Sequence, residues 1–187
     1  PVRRKEDLRL PTGRGRYSDD LNLPGQAYAA MLRSPHAHAR IRAIDTAAAR
    51  AMPGVLAVYT GADLAAENIG PIAPDYNFMG TLEQQREMPD VVLVNRDGSD
   101  IYASPYHLLA QDRARFNGQT VAMVVAETIG QAKDAAELIE IDYEPLPAVT
   151  ATRDAARPDA PRLWEHAPSN VCLDSEHGDA NATEAAF

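Results

Sequence analysis

One cysteine in 187 residues excludes a good deal. Cys172 has no second thiol for an internal disulfide, and a thiolate cluster or an iron–sulfur site takes two or more. Long apolar runs are also missing. None outlasts Val121-Ala122-Met123-Val124-Val125-Ala126, far short of the roughly 20 residues that a membrane-crossing helix needs. Aromatics make up 6% of the chain, with a single Trp. Positive charge is in the minority, 18 Lys and Arg against 27 Asp and Glu, so a nucleic acid would meet a net charge of −9. No apolar signal core follows Pro1-Val2. A chain that starts on Pro reads as one whose true beginning has been trimmed, and a soluble, cytoplasmic protein is the expectation.

What is present is ordinary globular chemistry, 45% hydrophobic and 24% charged. A chain of this length can bury roughly 70% of its unfolded surface, enough for one sizeable core or two small ones. Charge is unevenly spread. Residues 1–50 hold ten Lys and Arg against five acids, leaving eight against 22 for 51–187. A basic arm lying on the acidic body, or on a neighbouring domain, is the simplest use of that asymmetry.

Three stretches follow, with divisions at 1–25, 26–150 and 151–187. The first reads as an extended arm, since Pro11-Thr12-Gly13-Arg14-Gly15-Arg16 discourages regular structure. In the second, Gln26 to Arg33 and the half-alternating Ala39 to Ile44 read as strands. Asp45 or Thr46 caps a short helix stopped by Pro53-Gly54, and Val55 to Thr60 returns as a strand. A brief helix over Ala62 to Glu67 follows, capped by Thr60 or Gly61. From about 70 to 112 the pattern dissolves among prolines and glycines, with Val91 to Val94 the one clear strand candidate; so long an excursion is functional, disordered or packed against something outside the chain. Thr120 to Ala126 is an apolar strand expected to be covered on both faces. Thr128 then opens the best helix, with Ala132, Ala135, Ala136 and Ile139 on one stripe, and Ile141 to Glu144 is a strand closed by Pro145 and Pro147. The tail is expected to be irregular and tied down by Leu163 and Trp164.

Few residues suggest chemistry. If Ser34-Pro35-His36-Ala37-His38 is extended, His36 and His38 share a face and could hold a metal, but a third ligand (His107, His166, His177 or a carboxylate) is not indicated by any spacing. Backbone hydrogen bonds at a turn are the plainer role. Ser34 beside His36 lacks both a strained elbow and a third triad member. Gly13-Arg14-Gly15-Arg16 could seat a phosphate or carboxylate, although a docking arm suits it better. The pairs Asp19-Asp20 and Asp134/Glu137 read as solvated. Gln119, after the Asn117-Gly118 turn, could project toward a neighbouring site.

Taken in order, several segments carry a resemblance: Val2-Arg3-Arg4-Lys5-Glu6-Asp7, Thr12-Gly13-Arg14-Gly15-Arg16-Tyr17, Arg33-Ser34-Pro35-His36-Ala37-His38-Ala39-Arg40-Ile41, Met52-Pro53-Gly54-Val55 and Thr60-Gly61-Ala62-Asp63-Leu64. Arg115-Phe116-Asn117-Gly118-Gln119, Asp134-Ala135-Ala136-Glu137 and Ile141-Asp142-Tyr143-Glu144-Pro145-Leu146-Pro147 continue it. Together they resemble the α/β hammerhead domain of the large, molybdenum-binding subunit in the xanthine dehydrogenase and aldehyde oxidase family, aerobic carbon monoxide dehydrogenase type. The resemblance implies an α+β fold, a mixed sheet with packed helices. It implies hydroxylation of aldehydes or N-heterocycles, or oxidation of carbon monoxide, with oxygen from water. The molybdenum-pterin group (molybdopterin cytosine dinucleotide) would lie in domains beyond Phe187, with iron–sulfur clusters and FAD in partner subunits of an oligomeric holoenzyme. No catalytic, cofactor or metal residue carries over; the docking candidates are Arg3, Arg4, Arg14, Arg16, His36, His38 and Gln119. Asn117, where many relatives have Val, and the long stretch Asp75 to Tyr102 depart from the family pattern. The rival readings are a split subunit that binds a cofactor-bearing partner and a metal hydrolase using His36 and His38.

Overall fold

The computed structural model describes residues 4–5, 9–72, 95–176 and 178–187. Arg3, His177 and the strand expected at Val91 to Val94 lie outside them. The first regular unit is a 3-10 turn at Ser18–Asp20, where Asp20 Oδ2 accepts the Tyr17 N–H at 2.9 Å. Among the described residues six strands follow: β1 Tyr28–Arg33, β2 Ala39–Asp45, β3 Val55–Thr60, β4 Arg113–Ala114, β5 Thr120–Ala126 and β6 Glu140–Pro145. The helices are α1 Ala47–Arg50, α2 Gly61–Ala66, α3 Ile129–Glu137, α4 Thr152–Ala155 and α5 Ala180–Ala186.

The α+β class holds, and the expected mixed sheet takes the form of two three-stranded antiparallel sheets, ordered β1-β5-β3 and β4-β2-β6. The strand–helix–strand rhythm of β2, α1 and β3 would suit parallel neighbours, but β2 and β3 enter different sheets and α1 bridges them. Each start and stop has a local cause. Gly54, at φ +82°, turns the chain out of α1 into β3, and its carbonyl accepts the Glu127 amide at 2.9 Å. Thr60 and Asp63 form a reciprocal capping box at α2, and the Thr128 hydroxyl accepts the Gln131 N–H at α3.

The core lies between the first sheet and α3. Ala135, Ala136 and Ile139 face Ala122, Val124 and Val58, Ala132 is sealed on the same helix, and Ile44 and Ile141 of the second sheet close one end. Coverage of β5 departs from expectation. Its helix-facing side chains are sealed, but on the opposite face Val121 is sealed while Met123 and Val125 stay half-buried. The tail is less irregular than expected, because Asp179 caps α5 by accepting the Ala182 N–H.

Candidate functional site

Between β1 and β2 the chain leaves one sheet and enters the other within residues Ser34 to His38, and this crossover gathers the candidate side chains. It is a bend and not an extended segment, so His36 and His38 do not share a strand face. Ser34 is 2% exposed; its hydroxyl accepts the His36 N–H at 3.1 Å, holding the bend. The His36 ring instead lies against Tyr143, with centroids 4.8 Å apart. Burial pushes the Tyr143 phenol up, opposed by the Ser34 hydroxyl beside it. His38, 6% exposed, places Nδ1 2.8 Å from the Pro147 carbonyl. A carbonyl can only accept, so Nδ1 carries a proton, and Nε2 is sealed and without a partner among the described residues. The His38 carbonyl accepts the Leu146 amide at 2.9 Å, so this residue clasps the end of β6 from both its ring and its backbone.

The turn before β5 locks onto the same bend. The Ser34 N–H donates to the Gln119 carbonyl at 2.9 Å, the Gly118 N–H donates to the Ser34 carbonyl at 2.8 Å, and Asn117 Nδ2 donates to the Pro35 carbonyl at 2.8 Å. Gln119 folds back over its own turn, its side-chain oxygen accepting the Arg115 N–H at 2.6 Å. Asn117 at the departure from the family pattern therefore has a structural task.

Sequence reasoning missed a second cluster. Arg113 and Arg115 alternate along β4 and the residue after it, and both reach the tail. Arg113, 9% exposed, makes an ion pair with Glu165 at 2.7 Å, and that hydrogen bond holds the Glu165 carboxyl below the usual carboxylate range. The Arg115 guanidinium sits 3.7 Å above the Trp164 ring and donates to the Leu163 carbonyl at 3.3 Å. Burial lowers its pKa, with Asp112 opposing. The tie expected from Leu163 and Trp164 is thus made by two arginines. The signal available was an Arg-Ala-Arg alternation together with a lone Trp.

Arg14 and Arg16 are exposed and have no ion pair among the described residues, and the Arg14 amide is held by the Arg9 carbonyl at 2.9 Å. Asp134 and Glu137 lie on the open side of α3. Among the described residues no group of three or more His, Cys, Asp or Glu is placed to hold a metal ion. At the crossover Ser34 and His38 Nδ1 hold backbone and the His36 ring packs on Tyr143.

Two small antiparallel sheets joined by a tight crossover, one backed by a helix, define an α/β hammerhead domain. The sequence profile described as "Aldehyde oxidase and xanthine dehydrogenase, a/b hammerhead domain" matches residues 12–85 and 83–147. The chain belongs to this family. It is 42% identical over 163 residues to the carbon monoxide dehydrogenase large chain of Afipia carboxidovorans, covering 87% of this chain and 17% of that one. It is 39% identical over 152 residues to the nicotine 6-hydroxylase large subunit of Paenarthrobacter nicotinovorans, covering 81% and 16%. Among solved structures, the CO dehydrogenase from Oligotropha carboxidovorans superposes with a TM-score of 0.70 at 36% identity, covering all of this chain and 21% of that one. Quinoline 2-oxidoreductase from Pseudomonas putida 86 does so at 0.65 and 42%, covering 82% and 17%. The chain therefore spans about a fifth or less of the length of these relatives.

Proposed function

We propose that this chain is the non-catalytic hammerhead part of the large subunit of a molybdenum hydroxylase. The observation that carries the reading is the family match running through both sheets, from residue 12 to 147, in a chain that spans 17% of a carbon monoxide dehydrogenase large chain. The reaction is oxidative hydroxylation of an aldehyde or N-heterocycle, or oxidation of carbon monoxide, with water supplying the oxygen. Its molybdenum-pterin group sits in other domains of the polypeptide, and iron–sulfur and FAD subunits carry electrons away in a cytoplasmic holoenzyme. This chain's own residues serve as scaffold: Ser34, His38 and Gln119 fix the crossover, and Arg113 and Arg115 fix the exit of the tail.

The basic arm contributes docking. Arg3, Arg4, Arg14 and Arg16 meet an acidic surface of the molybdenum domains or of the iron–sulfur subunit. Charge reversal at Arg3, Arg4 and Arg14 is expected to weaken subunit assembly and flatten its salt dependence; unchanged assembly and salt dependence would remove the arm from the interface.

The deciding experiment is the intact mass and metal content of the native polypeptide. A mass several times that of 187 residues, with stoichiometric molybdenum, supports the reading. A mass matching 187 residues replaces it with a split subunit, and a long polypeptide without molybdenum overturns it.

A further inference from the structure

The two sheets treat their open faces differently. On β4-β2-β6 most of the exposed side chains are charged: Arg40, Arg42 and Asp142 are exposed, with Ala43 and Pro145 the uncharged exceptions, and Arg40 and Arg42 lie 3.9 and 3.3 Å from Glu144. This is the ordinary pattern of an antiparallel sheet with one wet face. On β1-β5-β3 the pattern is broken. The side chains that alternate away from α3 form two cross-strand rows, Ala29–Val125–Ala57 and Met31–Met123–Tyr59, set by the registers of β1 and β3 against β5. No residue of the six is charged. Met31 is 45% exposed, Ala29 is exposed, and the other four are half-buried. Leu56, extruded by the bulge between Val55 and Ala57, is 58% exposed.

The size of this face bears on what covers it. Two rows across three strands about 4.8 Å apart present roughly 200–300 Å². A stable dimer of separate chains needs about 800 Å² from each partner, so a second copy seated here alone would be too small a contact. An element tethered within the same polypeptide needs far less, because its effective concentration is in the millimolar range. Such a polypeptide is what the relatives offer, since the match occupies 17% of the Afipia large chain.

We infer that the outer face of β1-β5-β3 is an intramolecular docking surface, occupied by an uncharged, apolar face of the same polypeptide from beyond residue 187. This rests on the reading of the chain as part of a longer subunit. The occupant is apolar because Met31, Met123 and Val125 offer no hydrogen bond and would leave a buried polar group unpaired. The methionines let the face adapt to an irregular counterpart.

The test uses the native holoenzyme. A photoactivatable diazirine analogue of methionine at position 31, irradiated and mapped by mass spectrometry, is expected to cross-link within one polypeptide to residues beyond 187. Peroxide footprinting is expected to oxidise Met31 at least about tenfold more slowly in the native protein than in urea. Cross-links to a second copy, to another subunit or to residues 1–187 overturn the proposal, as does oxidation of Met31 at the unfolded rate. If the polypeptide is long and contains molybdenum while Met31 is bare, the docking inference alone falls. A native mass of 187 residues removes the functional reading and this inference together.

Discussion

Replacing Gly61 with alanine should be costly for a reason visible nowhere in the local sequence. Gly61 opens α2 with unstrained backbone, so by propensity alone an alanine would help by about 0.4–1 kcal/mol. Its surroundings forbid it. A Cβ at Gly61 would overlap the Ala110 carbonyl oxygen and lie 2.8 Å from the Ala110 carbonyl carbon and 2.9 Å from Gln111 Cα. These are backbone atoms that cannot rotate aside. Ala110 is itself sealed, and its amide donates to the Thr120 carbonyl at 2.8 Å, so pushing residues 110–111 away endangers that bond. Overpacking costs about 1–3 kcal/mol and a lost buried hydrogen bond a further 1–3, so that Gly61→Ala has a net destabilisation of about 1–5 kcal/mol. Gly70, with nothing within 4 Å of its Cβ position and no positive φ, is the control, and Gly70→Ala should be neutral or mildly stabilising. Urea titration read by hydrogen exchange of the β3 and β5 amides would rank the two. If Gly61→Ala matched Gly70→Ala, α2 would not approach residues 110–111 as described.

Other consequences are more local. Asp63 is held below its ordinary carboxylate value of 3.8, first by the Thr60 hydroxyl, so its stabilisation is full above that value and fades as pH falls through the lower folded pKa. Asp63→Ala should therefore cost about 0.5–1 kcal/mol near neutrality and progressively less in acid, in urea titrations run from pH 7 down to 3. Gly118, at φ +86° with open space around it, tests conformation without packing: Gly118→Ala should cost about 1 kcal/mol and Gly118→Asn clearly less, and equal losses would contradict the left-handed turn. Arg115→Lys keeps the charge but loses the planar stack on Trp164 and the bond to Leu163, about 1–2 kcal/mol, and should speed proteolysis between residues 157 and 170. Unchanged cleavage would mean that the tail is held elsewhere.

The elements that sequence located were those with local causes. Thr60 and Thr128 announce their helices, Gly54 its turn, and the Ala132-Ala135-Ala136-Ile139 stripe its buried face. The partition into two sheets was not legible. β1 and β3 both pair with β5, 60 or more residues further along the chain, and alternation says which face is buried without saying against which strand. β4, two residues long, has no period at all. At the crossover the sequence offered two readings: backbone hydrogen bonds at a turn, the arrangement His38 adopts on the Pro147 carbonyl, and an alternating His36/His38 pair, which assumes a strand where Pro35 and the Ser34 hydroxyl make a bend. Arg113 and Arg115 were passed over because their Arg-Ala-Arg alternation does not by itself say that the Trp164 and Glu165 they hold lie about 50 residues further along the chain.

The apolar outer face of β1-β5-β3 also changes how stability in this chain should be read. Removing 200–300 Å² of apolar surface from water contributes about 5–8 kcal/mol, and about 3–5 once the existing half-burial of Met123, Val125, Ala57 and Tyr59 is discounted. A whole domain of this size has about 5–15 kcal/mol to spare. The docked neighbour would then supply a share comparable with everything the hammerhead holds by itself. A substitution such as Gly61→Ala, tolerable in the intact subunit, could unfold the chain taken alone. The small alanine-rich core explains why. Ala49, Ala122, Ala132, Ala135 and Ala136 bring helix and sheet close together but bury little area each, so the larger apolar side chains of the second face are where this sequence has placed the remainder of its stabilising surface.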